Sequence, residues 1–458
     1  MLMQFVSVMI ISRLLSPAEI GIYSLAAGTI VIGQMLRDFG LSLYLVQEKD
    51  LTDEKVQSCF TISLILCWSI ALVYYLAAGA ISTFVRNPEV EFLVQVLALN
   101  FLMIPFGTFT LSLLRREMRF DKIMFIDVST TTVRAVGSVL FALAGYGVLS
   151  LAYASVLGAM VTVLLSFFYT QRKHYRFNFS NIKEIAKFSS FVSGTNIISE
   201  LRNTIPEIII GRNISTEAVA YFSKAMGTMG LFAKLINQAV GPVIQPYIAK
   251  INRDNGQLDY PIYYITNVML ALQWPFCVFM FLFAEEVIYL LYGAQWGETV
   301  PILRVFAVLY LLNGFTPMWD QLLNTVGKVQ FIFRNTIMLF FIRTALVIVL
   351  IDYGIYVVTL SFVVLPFIKT FFMLPEMIKA FGLNYSKLVK IYWTNLSISL
   401  LLFGMFWGLK QTITISESML VATLVYAVMF GFSWFMLLHL YDHALARKIW
   451  QILGKKKV

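Results

Sequence analysis

Chemistry on a bound substrate needs nucleophiles, general bases or metal ligands at workable spacing, and this sequence is poor in all of them. Cys59, Cys67 and Cys277 lie singly inside apolar runs with no C-x-x-C spacing, so they read as helix filler rather than redox or metal centres. His439 and His443 stand four residues apart, but only Asp442 is near them, and a solvated helix terminus accounts for the pair without a metal. The residues that call for explanation are charges inside apolar stretches. Eight cations (Arg37, Arg134, Arg202, Lys224, Lys234, Arg304, Arg343 and Lys369) and five acids (Asp38, Asp127, Glu200, Glu207 and Asp320) fall there. Facing lipid at a helix centre, each would cost at least about 2.5–3.5 kcal/mol. Most must therefore face a wet cavity or one another. Lys224, Arg304 and Lys369 lie near the ends of their runs, where snorkelling to the headgroups is the competing explanation.

The deeper charges fall into stripes at helical spacing. Gln34, Arg37 and Asp38 share one side of their run. Asp127, Thr131, Arg134 and Ser138 follow an i, i+4, i+7, i+11 path, as do Asn196, Glu200, Asn203 and Glu207. Lys234, Asn237, Gln238 and Gly241 form another stripe, and Asn313, Asp320 and Asn324 a further one. Any single stripe is equally explained by interhelical hydrogen bonds that only hold a bundle together. As a set they say more, because the cations outnumber the acids. A cationic excess in a cavity suits an anionic substrate, and the arginine fork suits phosphate in particular. On this reading Arg37, Arg202, Lys234, Arg134, Lys224 and Arg304 bind substrate. Asp38, Asp127, Glu200, Glu207 and Asp320 are the candidates for taking up a coupling H⁺ or Na⁺; no other cofactor is expected.

The elements that must position these residues are membrane helices. Apolar residues make up 59% of the 458 and charged residues 13%, with mean hydropathy +0.78; a soluble chain carries roughly 25% charged residues. Lipid forbids open strands, so the spans must be helices. Apolar runs bounded by charges or turn residues predict fourteen spans: 1–15, 21–46, 57–80, 89–114, 122–144, 147–171, 188–211, 217–247, 262–284, 299–326, 331–351, 354–376, 388–408 and 418–441. The first is short for a spanning helix and has no signal-peptide pattern. It is expected to be incomplete, which gives a count of 12 to 14. With the N-terminus inside, the inner segments collect clusters such as Arg115, Arg116, Arg119 and Lys122, or Arg172, Lys173, Arg176, Lys183 and Lys187. The outer loops hold only Arg13, Arg86, Arg212 and Lys410. That asymmetry is the positive-inside pattern and puts both termini in the cytoplasm. The net charge of +10 then faces anionic headgroups and calls for no nucleic acid.

Sliding the sequence on itself by 199 residues aligns Ile11-Ser-Arg-Leu-Leu-Ser16 with Ile210-Gly-Arg-Asn-Ile-Ser215, and Ser24-Leu-Ala-Ala-Gly-Thr29 with Ser223-Lys-Ala-Met-Gly-Thr228. The offset covers six spans, an even number, so the copies point the same way. The expected architecture is two parallel six-helix lobes around a central cavity, plus two C-terminal helices. The divisions are an N-lobe 1–171, an interfacial cytoplasmic linker 172–190, a C-lobe 191–380, two extra spans 381–445 and a basic tail 446–458. The stretch Asn181–Ser190 and the tail both pattern as helices lying in the headgroup layer. Two lobes without large loops suggest a transporter. No G-x-x-x-x-G-K-[ST] motif is present for a nucleotide-driven pump.

Four segments carry a family resemblance: 12–52 (SRLLSPAEIGIYSLAAGTIVIGQMLRDFGLSLYLVQEKDLT), 114–150 (LRREMRFDKIMFIDVSTTTVRAVGSVLFALAGYGVLS), 202–242 (RNTIPEIIIGRNISTEAVAYFSKAMGTMGLFAKLINQAVGP) and 293–312 (GAQWGETVPILRVFAVLYLL). In this order they resemble the Wzx-type polysaccharide flippases, nearest the colanic and teichuronic acid exporter branch of the multidrug/oligosaccharidyl-lipid/polysaccharide superfamily. The resemblance implies a bacterial inner-membrane protein that moves an undecaprenyl-pyrophosphate-linked glycan from the cytoplasmic to the periplasmic leaflet. It also implies polysaccharide polymerase and chain-length proteins as partners beside membrane lipids, and a cation-lined cavity to which Arg37, Asp38 and Arg202 belong most directly. Pro206 departs from the pattern, where a polar residue is expected beside Glu207. Two rivals differ in their residues. A drug or cation antiporter of the superfamily should have an acid-dominated site. A polyprenyl-glycan polymerase or ligase should have a large outer loop, whereas the longest one here is Glu285–Glu298.

Overall fold

A computed structural model of the chain describes residues 2–37, 41–48, 50–169, 175–180, 182–253, 256–412 and 419–454. Among them every long element is a helix, as backbone in lipid requires, and packing divides the chain into two compact units, Met1–Ala220 and Tyr221–Val458.

The first unit contains α1 (Leu2–Leu14), α2 (Pro17–Arg37), α3 (Leu41–Gln47), α4 (Asp53–Val85), α5 (Glu89–Arg116), α6 (Phe120–Leu143), α7 (Leu149–Tyr169) and α8 (Ile182–Asn213). α5 is its pillar, with Val90, Leu93, Val94, Leu97 and Phe101 buried at helical spacing and α4, α7 and α2 packed around them. α6 meets α7 through small residues. A Cβ on Gly137 would lie 3.3 Å from Leu157, one on Gly158 3.3 Å from Arg134, and the hydroxyls of Thr130 and Thr162 bond at 2.8 Å. Such small-residue contacts let helix backbones approach where lipid supplies no hydrophobic drive.

The second unit contains α9 (Thr216–Arg253, its first turn in the first unit), α10 (Asp259–Leu282), α11 (Ala284–Tyr292), α12 (Thr299–Asn313), α13 (Trp319–Thr325), α14 (Val329–Leu350), α15 (Ile355–Ser361), α16 (Val364–Phe381), α17 (Tyr385–Thr412), α18 (Met419–Leu440) and α19 (Ala444–Gly454). α10 is its pillar, against α12 and α17. Cys59, Cys67 and Cys277 are buried free thiols within the helix packing.

Each of the fourteen apolar runs corresponds to a helix or a broken pair of helices. Ten helical stretches among the described residues are long and apolar enough to cross a membrane. α1 and α12 are shorter, and α8 and α9 are long enough but more polar. The chain is a multi-pass membrane protein. The run 299–326 is not one helix: it breaks between α12 and α13, where Met318 takes φ +56°. The stretch Glu285–Glu298 is not an open loop either. α11 fills it, burying Val287, Ile288 and Tyr292 and leaving Glu285 and Glu286 in its first turn.

The repeated residues have matching structural roles. Ser16 and Ser215 each accept a backbone N–H three residues on, from Glu19 (3.2 Å) and Ala218 (3.1 Å), and so cap α2 and α9. Glu19 returns the bond to the Ser16 N–H at 2.8 Å, completing a capping box. Arg13 and Arg212 lie in the last turns of α1 and α8, where a cation opposes the helix dipole. Ala26 and Ala225 are both fully buried. Packing divides the chain one helix later than the 172–190 linker, because α8 lies on α2: Thr204 sits 3.6 Å from a Cβ built on Gly28, and Gly211 leaves room only for Leu25.

Two sets of polar contacts hold the second unit where its helices are irregular. Pro275 supplies no N–H inside α10, so the Ala271 carbonyl four residues back loses its helical donor; Trp434 Nε1 on α18 donates to that carbonyl at 2.9 Å. At the broken end of α12, Gln273 Nε2 donates to the Tyr310 carbonyl (2.7 Å), Trp274 Nε1 to Leu311 (2.9 Å) and Tyr392 Oη to Phe315 (2.7 Å). Beyond α18, the Asn267 amide oxygen accepts from Asn395 (2.7 Å) and faces His443 Nε2 (2.7 Å), while the Leu445 N–H donates to His443 Nδ1 (3.1 Å). With Nδ1 accepting, the proton sits on Nε2 and the ring is neutral. Burial, helped by Arg447, pushes the His443 pKa down to about 4.

Trp434→Phe is expected to destabilise the protein by about 0.5–1.5 kcal/mol in a thermal or denaturant melt. With Pro275→Ala, which restores the ladder donor, the same change should cost much less; equal costs in both backgrounds would sink the account. His443 adds a pH dependence. Unfolded, the ring protonates near about 6.5; folded, it stays neutral to about 4. The unfolded state therefore binds more protons in that window, so this contribution is complete above it and is lost as pH falls through it. Melting temperatures between pH 7 and 4.5 should fall less steeply in His443→Gln than in the native protein.

Candidate functional site

The predicted site residues divide between the two units. In the first, α2 and α8 run antiparallel, with Leu25 opposite Gly211 and Gly28 opposite Thr204 and Ile208, while Gly21 lies against Thr216 at the start of α9. Continued along both helices, that register places Gln34 at the level of Arg202 and Arg37 at the level of Glu200. Arg37 ends α2 and is half-buried, as are Arg202 and Glu207; Gln34 and Glu200 are exposed. Two guanidinium groups, an amide and a carboxylate thus belong to positions within about one turn of each other on a single helix pair. Pro206 lies inside α8, so the Arg202 carbonyl four residues back has no helical donor, which adds an acceptor at the same level.

The rest of the first unit's charge lies on α6. Asp127 and Arg134 are exposed, and the Arg134 stem covers Gly158 of α7. Arg134 is also within electrostatic reach of Tyr23 on α2. Ser138, at the end of that stripe, bonds Ser7 of α1 at 3.1 Å and belongs to the packing. Asp38 lies outside the described residues, as do the side chains of Asn196, Asn203, Asn237, Gln238 and Gly241.

The second unit uses its charges differently. Lys224 on α9 sits in an aromatic box, with its ammonium 4.6 Å from the Tyr292 ring centre and 5.2 Å from that of Trp296. The Tyr292 hydroxyl is fixed by Thr228 at 2.9 Å. Arg343 lies over the Phe362 ring at 4.5 Å. Asp320 on α13 receives a 2.6 Å hydrogen bond from Lys369 on α16, so this acid is engaged in an ion pair that ties two helices. Lys234 is exposed on α9, ten residues beyond Lys224. Of the six cations assigned to substrate, Arg37 and Arg202 are the two that lie within about one turn of each other on the α2/α8 pair. Lys224 is held by aromatic rings.

Arg304 lies in a cavity of about 350 Å³ within the second unit, lined by Phe281, Leu282, Trp407, Lys410 and Gln411. Lys410 reads in sequence as an outer-loop cation, yet it belongs to the last turn of α17, paired with Glu286 at 2.6 Å and donating to the Leu282 carbonyl at 2.9 Å. Its position only two residues after the end of the apolar run 388–408 was the available signal. The aromatic box had none, because Tyr292 and Trp296 look like ordinary interfacial aromatics. His439 and His443 serve packing: the His439 ring lies 6.2 Å from that of Trp450, and His443 faces Asn267.

Helices arranged in this way are the fold of a class of multi-pass membrane transporters. The structure is similar to that of the lipid II flippase MurJ in an inward closed conformation, with TM-score 0.79 at 14% identity over 97% of each chain. It is also similar to an inward-facing multidrug resistance MATE family transporter, with TM-score 0.65 at 20% identity, covering 85% of this chain and 95% of that one. The chain itself belongs to the family described as polysaccharide biosynthesis protein, which it matches over residues 10–301. Its relatives include the lipopolysaccharide biosynthesis protein WzxC of Escherichia coli K12, 23% identical over 86% of this chain and 81% of that one. The succinoglycan biosynthesis transport protein ExoT of Rhizobium meliloti is 27% identical over 67% of this chain and 62% of that one. The fold is thus one shared with a lipid II flippase and a multidrug transporter.

The pairing of Asp320 with Lys369 is testable in stability. The two carboxylate and ammonium groups are partly exposed, so Asp320→Asn and Lys369→Gln should each cost about 1 kcal/mol or less. Combined, they should cost clearly less than the sum of the two; additive costs would show that the pair is not coupled.

Proposed function

We propose that this protein is a flippase that turns polyprenyl-diphosphate-linked oligosaccharide repeat units from the cytoplasmic to the periplasmic leaflet of a bacterial plasma membrane, supplying surface polysaccharide synthesis. The observation that carries the reading is the α2/α8 level, where the helix register places Arg37, Arg202, Gln34 and Glu200 within about one turn of each other. Arginine is the side chain best fitted to a diphosphate, since each fork can donate two parallel charge-assisted hydrogen bonds. Support comes from the family, whose named members serve polysaccharide biosynthesis and transport, and from the likeness to a lipid II flippase. The polar residues around the arginines accommodate sugars while the polyprenyl tail stays in lipid. The distribution of basic loops supports cytoplasmic termini, and the released glycan would pass to polymerase and chain-length proteins.

Transport proceeds by alternating access, driven by H⁺ or Na⁺ uptake on Asp38, Asp127, Glu200 or Glu207. Asp320 is the weaker candidate, because Lys369 already compensates its charge. The MATE-like fold leaves drug antiport as the rival, but that chemistry favours an acid-dominated site, and the α2/α8 level is cationic.

Reconstituted vesicles with lipid-linked oligosaccharide in one leaflet provide the test. Arg37→Ala with Arg202→Ala should slow translocation by at least about tenfold, the loss of one or more charge-assisted hydrogen bonds. Arg37→Lys should retain part of the rate. A double alanine variant that translocates at the native rate would end the cationic-site mechanism. Glu200→Gln should flatten the dependence of rate on a pH or Na⁺ gradient, and a native rate indifferent to both gradients would end the coupling proposal.

A further inference from the structure

The cavity around Arg304 has a composition that the transport cycle does not use. It lies where three helix ends meet: Phe281 and Leu282 close α10, Trp407, Lys410 and Gln411 close α17, and Arg304 is in the second turn of α12. All of it belongs to the second unit. That level is the end of the helices, where lipid headgroups lie, rather than the middle of a span. It is also the side remote from the basic loops.

The charges in the cavity can be counted. Lys410 is compensated by Glu286 at 2.6 Å and occupied further by the Leu282 carbonyl. Arg304 is half-buried and, among the described residues, makes no ion pair. One net positive charge therefore faces a cavity of about 350 Å³. Gln411 adds an amide that can donate beside it. The remaining wall is Phe281, Leu282 and Trp407, and Trp407 is 53% exposed, so the cavity opens onto the hydrophobic surface of the bundle.

We propose that this cavity is a binding site for the phosphate of an anionic phospholipid, with Arg304 as its anchor. A phosphodiester carries one negative charge and matches the single uncompensated cation. A diphosphate carries more and would leave charge unpaired in a largely apolar cavity. The apolar wall suits the glycerol and upper acyl chain of a lipid, and a soluble phosphate would make no use of it. The exposed Trp407 ring is placed as interfacial tryptophans are, with its apolar body toward the chains. The inference stands apart from the transport mechanism: Arg304 holds a lipid of the surrounding bilayer rather than the cargo.

The test is native mass spectrometry of the full chain in detergent, titrated with phosphatidylglycerol or phosphatidylcholine. The tightest phosphatidylglycerol site should be preferred over phosphatidylcholine. Arg304→Gln should weaken it by about tenfold, the loss of one charge-assisted hydrogen-bonded contact. Glu286→Gln, which uncovers the Lys410 charge, should tighten it by about fivefold. Arg304→Lys keeps the charge and should retain most of the preference, and thermal melts of each variant exclude misfolding as the cause. Equal binding of the two lipids, or unchanged affinity in Arg304→Gln, would overturn the assignment. Displacement of the lipid by glycerol phosphate at equal concentration would overturn it in favour of a soluble phosphate. Tighter binding of polyprenyl diphosphate, lost in Arg304→Gln, would overturn it in favour of an exit site for cargo.

Discussion

Backbone hydrogen bonding in a medium without water is the constraint on which the second unit is built. Each carbonyl left without a partner in lipid costs several kcal/mol, so an interrupted helix has to be completed by its neighbours. Pro275 frees the Ala271 carbonyl, and the indole of Trp434 completes it from α18. At the end of α12, Gln273 and Trp274 of α10 add donors to the Tyr310 and Leu311 carbonyls, which also accept the Gly314 N–H, and Tyr392 of α17 donates to the Phe315 carbonyl within the break. Gly314 has to be glycine there, because a Cβ would collide with the Trp274 indole. The last two spans are therefore not appended by hydrophobicity alone. They supply donors that α10 and the break after α12 need.

Charge obeys the same economy with different partners. In the second unit Lys224 and Arg343 lie on aromatic rings, Lys369 meets Asp320 and Lys410 meets Glu286. These arrangements satisfy cations at little distance from their own helices and leave them poorly placed to receive a cargo. The first unit also sets Lys122 on Tyr169 and Arg212 on Phe84, but its two cargo candidates belong to one helix pair. α2 and α8 approach closely at Gly211, where a Cβ would meet the Leu25 side chain, and this packing sets the register that brings Arg37 and Arg202 within about one turn of each other along the pair. Close glycine packing is thus a condition of the candidate site, since larger residues at the crossing would part the helix pair that aligns the arginines.

The helices were legible because lipid imposes one period and one length on every span, so each apolar run became a helix or a broken pair. The break after α12 had a signal that the run 299–326 passes over, Asn313-Gly314 followed by Pro317; what the sequence does not show is that Trp274 and Tyr392 meet the carbonyls there. The site was legible by class and not by membership. Counting charges identified residues that lipid would refuse, but it does not distinguish a cation on a ring from one facing a ligand. Lys224 and Arg37 are equivalent in such a count. Lys410 went unrecognised because a loop cation and a helix-end cation differ only in whether Glu286 is within reach.

The internal repeat shows why that distinction had to come from packing. The positions conserved between its copies are scaffold: Ser16 and Ser215 cap helices, Arg13 and Arg212 oppose helix dipoles, Ala26 and Ala225 are buried at crossings. At the same offset of 199, the six cationic candidates have apolar counterparts, whereas among the acids Asp320 matches Asp121 and Asp38 matches Asn237. Arg37 matches Ile236, Arg202 matches Met3, Glu207 matches Val8 and Lys234 matches Met35. Two equivalent copies would offer a cargo two equivalent sites. Positive charge placed in only one copy at the matched candidate positions removes that equivalence while leaving the caps and crossings that both copies need. The repeat therefore carries the architecture, and the departures from it carry the candidate chemistry.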